Sequence, residues 1–372
     1  MKVGIITFHA SHNYGSMLQA YALCKILVKR GCEVRIINFR SEKQYRLYPH
    51  PLDLRIRTLK GIALDMMLGP VGIIGKWNKY EDFMKKHLPL THVYHSMEEL
   101  KRQRWDFDVL VVGSDQIWNT HCFDWNEVFF GNFIDKSITK IAYAPSMGRC
   151  PEETVDKEVV KQLCHDFNFI SVREPRTANI LHKIGINQDI DITVDPTLLL
   201  EEHDYEDIYD KKSLVQGNYI FFYDPFRRPE FLRVASMIGL KMRLPVVCDR
   251  RYYFFETKGI KNVQYYVNVG PSEFLNLIKN ANLVCGHSFH SIVFSILFKK
   301  DFLALDGDKD SRMTNLLEQL GLTQRAVSMD APNYFSTKSI DDYDTIHKKL
   351  VALRQPSFAF LDKCGLSGTP KH

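Results

Sequence analysis

Five loops in this sequence gather residue types that handle anions, protons and hydroxyls, each after a short apolar run. HASHNYGSM, residues 9–17, is polar and opens onto a helical stretch. Free N–H groups at a helix start favour anions, yet His12 and Asn13 serve equally well there as turn residues. GSDQIWNTHCFDW, residues 113–125, follows FDVLVV. Asp115 at that strand end suits orienting or deprotonating a hydroxyl, and Trp118 and Trp125 offer flat faces to a pyranose ring. The competing reading makes Asp115 a helix cap and Trp118 core. SVREPR, residues 171–176, sets Arg173 at a strand end and Arg176 just past Pro175. Two guanidiniums there bind carboxylate or phosphate bidentately, or form surface ion pairs of little energetic weight with Glu174 and its neighbours. CGHSFHS, residues 285–291, carries His287 on the loop and His290 on the first turn of an amphipathic helix. An imidazole there can face an anion and act as acid or base, although a lone histidine is more often structural. DGDKDSR, residues 306–312, ends on Arg312, which opens a helix within reach of the same anion or belongs to an exposed, capped loop.

The elements that must hold these loops are legible as alternating apolar and helical runs. Lys2–Phe8 reads as a strand, Met17–Arg30 as a helix stopped by Gly31, and Glu33–Phe39 as the next strand. Near-continuous apolar strands in a βαβ opening signal a parallel sheet covered on both faces. Phe107–Val112, Lys140–Ala144 and Phe167–Val172 continue it. Tyr219–Tyr223, Pro245–Cys248, Asn282–Cys285 and Phe302–Leu305 restart the theme, with helices between them over 230–240, 272–280, 292–298 and 313–320. The expected class is α/β, with two Rossmann-like parallel-sheet lobes facing a cleft, glycosyltransferase-B-like. The lobes span residues 1–195 (acceptor side) and 196–342 (donor side), and a C-terminal helix and tail, 343–372, packs back across the junction. Ligands of such sheets sit at the carboxyl ends of the strands, where all five loops fall.

Bulk properties narrow the function. At 372 residues, two domains are the natural expectation. Hydrophobic content of 45% and charged content of 25% are those of a globular protein. The eight cysteines lack CxxC or Cys/His clustering, which argues against a metal site or disulfide framework and suits a reducing cytoplasm. The N-terminus begins directly with a strand-like run and shows no signal-peptide pattern. The net charge of +5, without a long basic run or a nucleic-acid-binding motif, disfavours nucleic acid and suits small anionic substrates. Arg40–Ile62 is basic and leads into GIALDMMLGPVGIIG, residues 61–75. That segment reads either as a surface meeting the inner membrane face and a lipid-linked acceptor, or as an ordinary insertion with a solvated face.

At these same loops the sequence resembles the bacterial polysaccharide pyruvyl transferase family over nearly its whole length. The resemblance rests on NYGSMLQAYALCKIL at 13–27, VVGSDQIWN at 111–119, YAPSMG at 143–148, ISVRE at 170–174, VDPTLLL at 194–200 and SFHSIVFSILFKKDFLAL at 288–305. It implies phosphoenolpyruvate as donor, a sugar diol or lipid-linked oligosaccharide as acceptor, and no metal or other cofactor. It also implies that Arg173 binds the donor and that His290 is the active-site histidine. Many members carry arginine two residues before that histidine; here the position is Ser288, with Arg312 and Arg176 as candidate replacement cations.

Phosphoenolpyruvate needs fixed positive charge, because an unpaired anion is prohibitively costly to desolvate. On this reading Arg173 and the helix start at Ser288–His290 meet around it. His290 transfers a proton, Asp115 engages the acceptor hydroxyl, and His12 ranks second. His290→Ala or Arg173→Ala is expected to abolish turnover with the fold intact. Two rivals share the fold. One is a nucleotide-sugar glycosyltransferase using Arg250, Arg251 and Tyr252; the other is a non-catalytic glycan-binding member. The acceptor sugar, the ketal stereochemistry and the oligomeric state are not readable from the sequence.

Overall fold

The apolar runs become strands covered on both faces. In the computed structural model, which describes residues 1–56, 58–59, 70–148, 150–330 and 339–366, the first set is β1 (Lys2–Ile6), β2 (Glu33–Phe39), β3 (Leu90–Tyr94), β4 (Val109–Val112), β5 (Thr139–Ala142), β6 (Phe169–Val172) and β7 (Ile190–Ile192). They form one parallel sheet in the order β3-β2-β1-β4-β5-β6-β7. The second set is β8 (Ile220–Tyr223), β9 (Val246–Cys248), β10 (Val263–Tyr265), β11 (Leu283–Gly286), β12 (Phe302–Leu305) and β13 (Ala326–Val327). Its order is β10-β9-β8-β11-β12-β13, again parallel throughout. β4, β8, β11 and β12 are buried at every residue, as strands between helical layers must be. The α/β class with two Rossmann-like parallel sheets is therefore the class observed.

Both sheets are wound the same way. The chain builds β1, β2 and β3 toward one edge, then jumps back to lay β4 beside β1 and builds toward the other edge. β8, β9, β10 and β11 repeat the move. At such a reversal the loops leaving the two central strands part in opposite directions, and the crevice they leave at the carboxyl ends is where open α/β sheets take ligands. The loops so singled out follow β1 and β4 in the first sheet and β8 and β11 in the second.

Helix limits follow from caps. The first helix runs Tyr14–Lys29, three residues earlier than its apolar periodicity suggests, because Asn13 Oδ1 accepts from the N–H groups of Gly15 and Ser16. Pro175 is the first residue of the helix Pro175–Lys183, as its fixed φ favours. The last helix spans Tyr343–Lys363 and continues through Pro356.

The chain divides into two compact units: Met1–Tyr48, Met84–Leu200 and Val351–His372 in one, Pro49–Phe83 and Glu201–Leu350 in the other. Residues 351–363 join the first unit through Arg354, which donates to the carbonyls of Leu198 and Leu200, and Ser357, whose Oγ accepts from Val194 N–H at 2.9 Å. Residues 49–83, which precede most of the first sheet, are bound to the second unit by Lys76–Asp249 at 2.8 Å and Lys79–Glu273 at 2.7 Å. On the helix Pro70–His87 a Cβ at Gly72 would meet Val267, and one at Gly75 would meet Asn268. At Gly72 and Gly75 the described end of the apolar segment thus packs on the second unit; residues 57 and 60–69 of that basic and apolar stretch lie outside the described residues. Among the described residues, no helix is long and apolar enough to cross a membrane.

Candidate active site

In the first unit the reversal gathers a buried polar cluster. β4 is followed by Gly113, whose φ of +130° only glycine adopts readily, and a Cβ there would run into Tyr143 O. Asp115 follows with φ of +72° and is 5% exposed. No helix starts after it, so the capping alternative for Asp115 is not realised; Asp115 makes an isolated parallel bridge with Pro145 and the rest of 113–125 is irregular, with turns and bends. Ser16 Oγ–H, from the first turn of the helix after β1, donates to Asp115 Oδ2 at 2.6 Å. Arg173, at the end of β6, brings Nη2 within 3.9 Å of Asp115 Oδ1. The residues read as acceptor-side base and donor-side cation are therefore neighbours.

Arg173 is not a surface ion-pair residue. It is 5% exposed and donates through Nη1 to Asp195 Oδ2 at 2.7 Å, with Glu174 Oε2 3.8 Å from its Nε. Asp195 also accepts from the N–H and hydroxyl of Thr197, at 3.0 and 2.6 Å. Arg176 is elsewhere: its guanidinium donates to the carbonyls of Gly148 and Cys150, so it pins a loop instead of standing ready for a donor anion. Trp118 is core, at 1% exposure. It stacks on Phe130 at 5.3 Å, meets Phe167 edge-on and donates its indole N–H to Phe129 O, which leaves no face for a pyranose. Trp125 is half-buried, packs on the same core and has no hydrogen-bond partner for its indole N–H. Asn13 is the helix cap, and His12 stacks on Tyr48 at 5.4 Å. Beside them lies a pair the sequence did not single out. Ser11 Oγ–H donates to Asp124 Oδ2 at 2.7 Å. Burial, the largest influence, pushes the Asp124 carboxyl above its ordinary range. The signal for it was its position two residues into FDW, on a loop already under suspicion.

In the second unit the corresponding loop follows β11. Gly286 has φ of +151°, and a Cβ there would strike Tyr223 O at the end of β8. His287 is buried and donates Nδ1–H to Leu305 O at 2.7 Å, which makes it structural. Ser288 caps the helix Phe289–Leu297, its Oγ accepting from Ser291 N–H at 3.3 Å. His290 follows on the first turn, 8% exposed, its ring edge-on to Phe289 at 5.3 Å. The helix thus begins three residues before the expected Ile292. Arg312 lies over the other side of that neighbourhood, 5.8 Å from the Phe289 ring, and chelates Asp310 through Nε and Nη2 at 3.1 and 2.7 Å. Its charge is therefore already matched. Beside the loop after β8, Arg228 is held bidentately by Asp224 at 3.0 and 2.8 Å. Arg250 and Lys76 converge on buried Asp249 at 3.2 and 2.8 Å. Burial favours the neutral Asp249, but the two cations outweigh it and hold the carboxyl well below its usual range. Arg250 is thus engaged, and Tyr252 is buried with its hydroxyl unpaired.

A cavity of about 960 Å³ lined by Arg104, Trp105, Phe107 and Asn132 lies at the amino ends of β4 and β5, away from these loops. Among the described residues, no group of three His, Cys, Asp or Glu is placed to hold a metal ion.

The profile of the polysaccharide pyruvyl transferase family matches residues 13–309, from the Asn13 cap to the loop before Arg312. The chain belongs to that transferase family. No curated protein matches it significantly. Among solved structures, the family member is similar to the Staphylococcus aureus MnaA–UDP co-structure, with a TM-score of 0.52, 9% identity, 99% of this chain and 92% of that chain covered. It is also similar to the glycosyltransferase SnogD from Streptomyces nogalater, with a TM-score of 0.45, 11% identity and 99% and 100% covered. A third is the UDP-GlcNAc 2-epimerase of Methanocaldococcus jannaschii in complex with UDP-GlcNAc and UDP, with a TM-score of 0.44, 13% identity and 95% and 93% covered. At 9% identity the first of these likenesses, with its TM-score of 0.52, concerns the fold alone, and the glycosyltransferase-B-like class of this family member agrees with it.

Proposed function

We propose that the chain transfers the pyruvyl unit of phosphoenolpyruvate to a sugar diol, releasing inorganic phosphate and leaving a cyclic pyruvate ketal on a capsule, exopolysaccharide or cell-wall glycan precursor. The observation that carries this reading is the place of His290: the first turn of a capped helix at the second sheet's reversal, inside the stretch matched by the family. Phosphoenolpyruvate presents a carboxylate and a phosphate, which the N–H groups of the Phe289–Leu297 helix start can receive. Arg173, held by Asp195, is the proposed guanidinium for the donor.

The chemistry runs in two balanced steps. A sugar hydroxyl adds to the central carbon of the enol while the methylene carbon takes a proton, which makes a methyl group. A second hydroxyl then displaces the phosphate and closes the ketal, and its proton leaves with the phosphate. His290 is assigned the proton transfers. Asp115, aligned by Ser16, is assigned the acceptor hydroxyl. Such acid–base assistance contributes about 10²–10⁴-fold in rate. Trp125 and His12 are assigned to the acceptor. We place the reaction in the cytoplasm, where the free thiols of this chain are stable.

The test is a donor comparison. The chain is incubated with a panel of sugar diols and either phosphoenolpyruvate or a nucleotide sugar, and the leaving group is assayed. Acceptor-dependent inorganic phosphate from phosphoenolpyruvate, lowered about 10²–10⁴-fold in His290→Asn, is the expected result. Nucleoside diphosphate from the nucleotide sugar would replace this reading with glycosyl transfer.

A further inference from the structure

Two consecutive phenylalanines stand almost bare at the carboxyl end of the second sheet. Phe254 is 88% and Phe255 77% exposed, and Phe226, on the adjoining loop after β8, is 65% exposed. They are held there. Phe254 and Phe255 occupy the two central positions of a turn closed by Glu256 N–H donating to Tyr253 O at 3.0 Å. The same turn is locked from below by Tyr253 N–H donating to Glu256 Oε2 at 2.7 Å. Arg227 buttresses it, its guanidinium 4.4 Å over the Tyr253 ring and 3.2 Å from Glu256 Oε2. Tyr253 and Phe255 stack at 5.5 Å. Central turn positions normally go to Gly, Pro, Asn, Asp or Ser. A turn fixed by this many contacts to present Phe-Phe to solvent marks an interaction surface.

The charge around it selects the partner. Residues 224–261 hold nine Lys/Arg against four Asp/Glu, an excess equal to the +5 of the whole chain. Some of these cations are matched within the unit. Arg251 and Lys258, which flank the turn, are exposed, and among the described residues neither has a carboxylate partner. Arg233 beside them donates only to Lys258 O. Exposed aromatics rimmed by unmatched cations are the signature of a protein that rests on an anionic bilayer, the rings entering the headgroup region and the cations meeting lipid phosphate. A carbohydrate platform would favour Tyr or Trp faces with hydrogen-bonding groups beside them, and Phe254 and Phe255 carry none.

We infer that the Tyr253–Glu256 turn, with Phe226, Arg251 and Lys258, is a membrane-docking tip for an anionic lipid surface. It lies at the carboxyl ends of β8 and β9, the same end as the His290 loop, so docking would bring lipid-borne molecules to that end of the unit. The inference does not depend on pyruvyl transfer.

The test is co-flotation of the full chain, without substrates, with vesicles of phosphatidylglycerol mixed with phosphatidylcholine, against phosphatidylcholine alone. Wild type is expected on the anionic vesicles and not on the neutral ones, with binding weakened by salt. Phe254→Ser/Phe255→Ser is expected to lower the partition about tenfold or more. Arg251→Gln and Lys258→Gln should each lower it about fivefold, the equivalent of roughly 1 kcal/mol per cation near the surface. Both sets alter exposed side chains, and circular dichroism checks the fold. Indifference of wild type to anionic vesicles would overturn the inference, as would unchanged binding by the double phenylalanine variant. So would loss of self-association in that variant, which would make the tip an interface between copies, or its protection by a soluble glycan, which would make it a sugar site.

Discussion

Arg173 shows how burial changes the meaning of a charged residue. From sequence it is a guanidinium at a strand end, removable without harm to the fold. In the structure it is one half of a buried pair with Asp195, with Asp115 and Glu174 close by. Arg173→Ala would take away the guanidinium that pairs with the buried Asp195 carboxylate. We predict a loss of about 3–5 kcal/mol in urea denaturation, the cost of breaking a buried pair from one side. A loss within about 0.5 kcal/mol, as for an ordinary surface substitution, would mean that water replaces the guanidinium. The role of Arg173 toward a donor is therefore better probed by Arg173→Lys, which keeps the charge and gives up the planar fork. Arg176 and Trp118 teach the same lesson in the other direction. Both looked chemical by type and position; one serves a loop, the other the core.

Among the elements, β5 carries a buried cation that gives the fold a pH signature. Lys140 is 4% exposed, lies 4.6 Å over the Phe167 ring and donates to Asn132 Oδ1 at 2.7 Å. Burial pushes its ammonium down to about 8. In the window between about 8 and the ordinary 10.5 the unfolded chain binds the proton that the folded chain has released, so this group makes stability rise with pH. We predict that the stability of wild type relative to Lys140→Met increases by up to about 3 kcal/mol as pH is raised across that window. The difference is read from paired denaturation curves, and a flat difference would show that Lys140 is solvated. Core strands were legible for a physical reason: a strand buried on both faces must be apolar. The exact helix starts were less so, because the capping bonds of Asn13 and Ser288 carry each helix three residues ahead of its apolar period. β3, β7, β10 and β13 went unread because they are short and, at most of their residues, only partly buried, so neither period nor continuous hydrophobicity marks them. The membership of residues 49–83 in the second unit was unreadable too, since Lys76 and Lys79 find their acids, Asp249 and Glu273, far along the chain.

For the molecule as a whole, the same winding occurs twice, and each reversal is marked by a glycine in a backbone conformation closed to other residues: Gly113 just after β4 and Gly286 at the end of β11. The repeat was invisible by sequence because it is one of hydrogen-bond order rather than residue identity. The loop chemistry was legible to the extent that Asp115, Ser288 and His290 stand at those reversals. Buried partners such as Asp195, Asp124 and Asp249 were not, because a carboxylate's neighbours are set only on folding. The proposed ketal transfer is tested by carbon NMR of the acceptor after incubation with phosphoenolpyruvate labelled at its central carbon. The label is expected on the sugar as a quaternary ketal carbon bonded to two sugar oxygens, in step with phosphate release. Label recovered only as unreacted donor or free pyruvate, across acceptors that bind the chain, would contradict it.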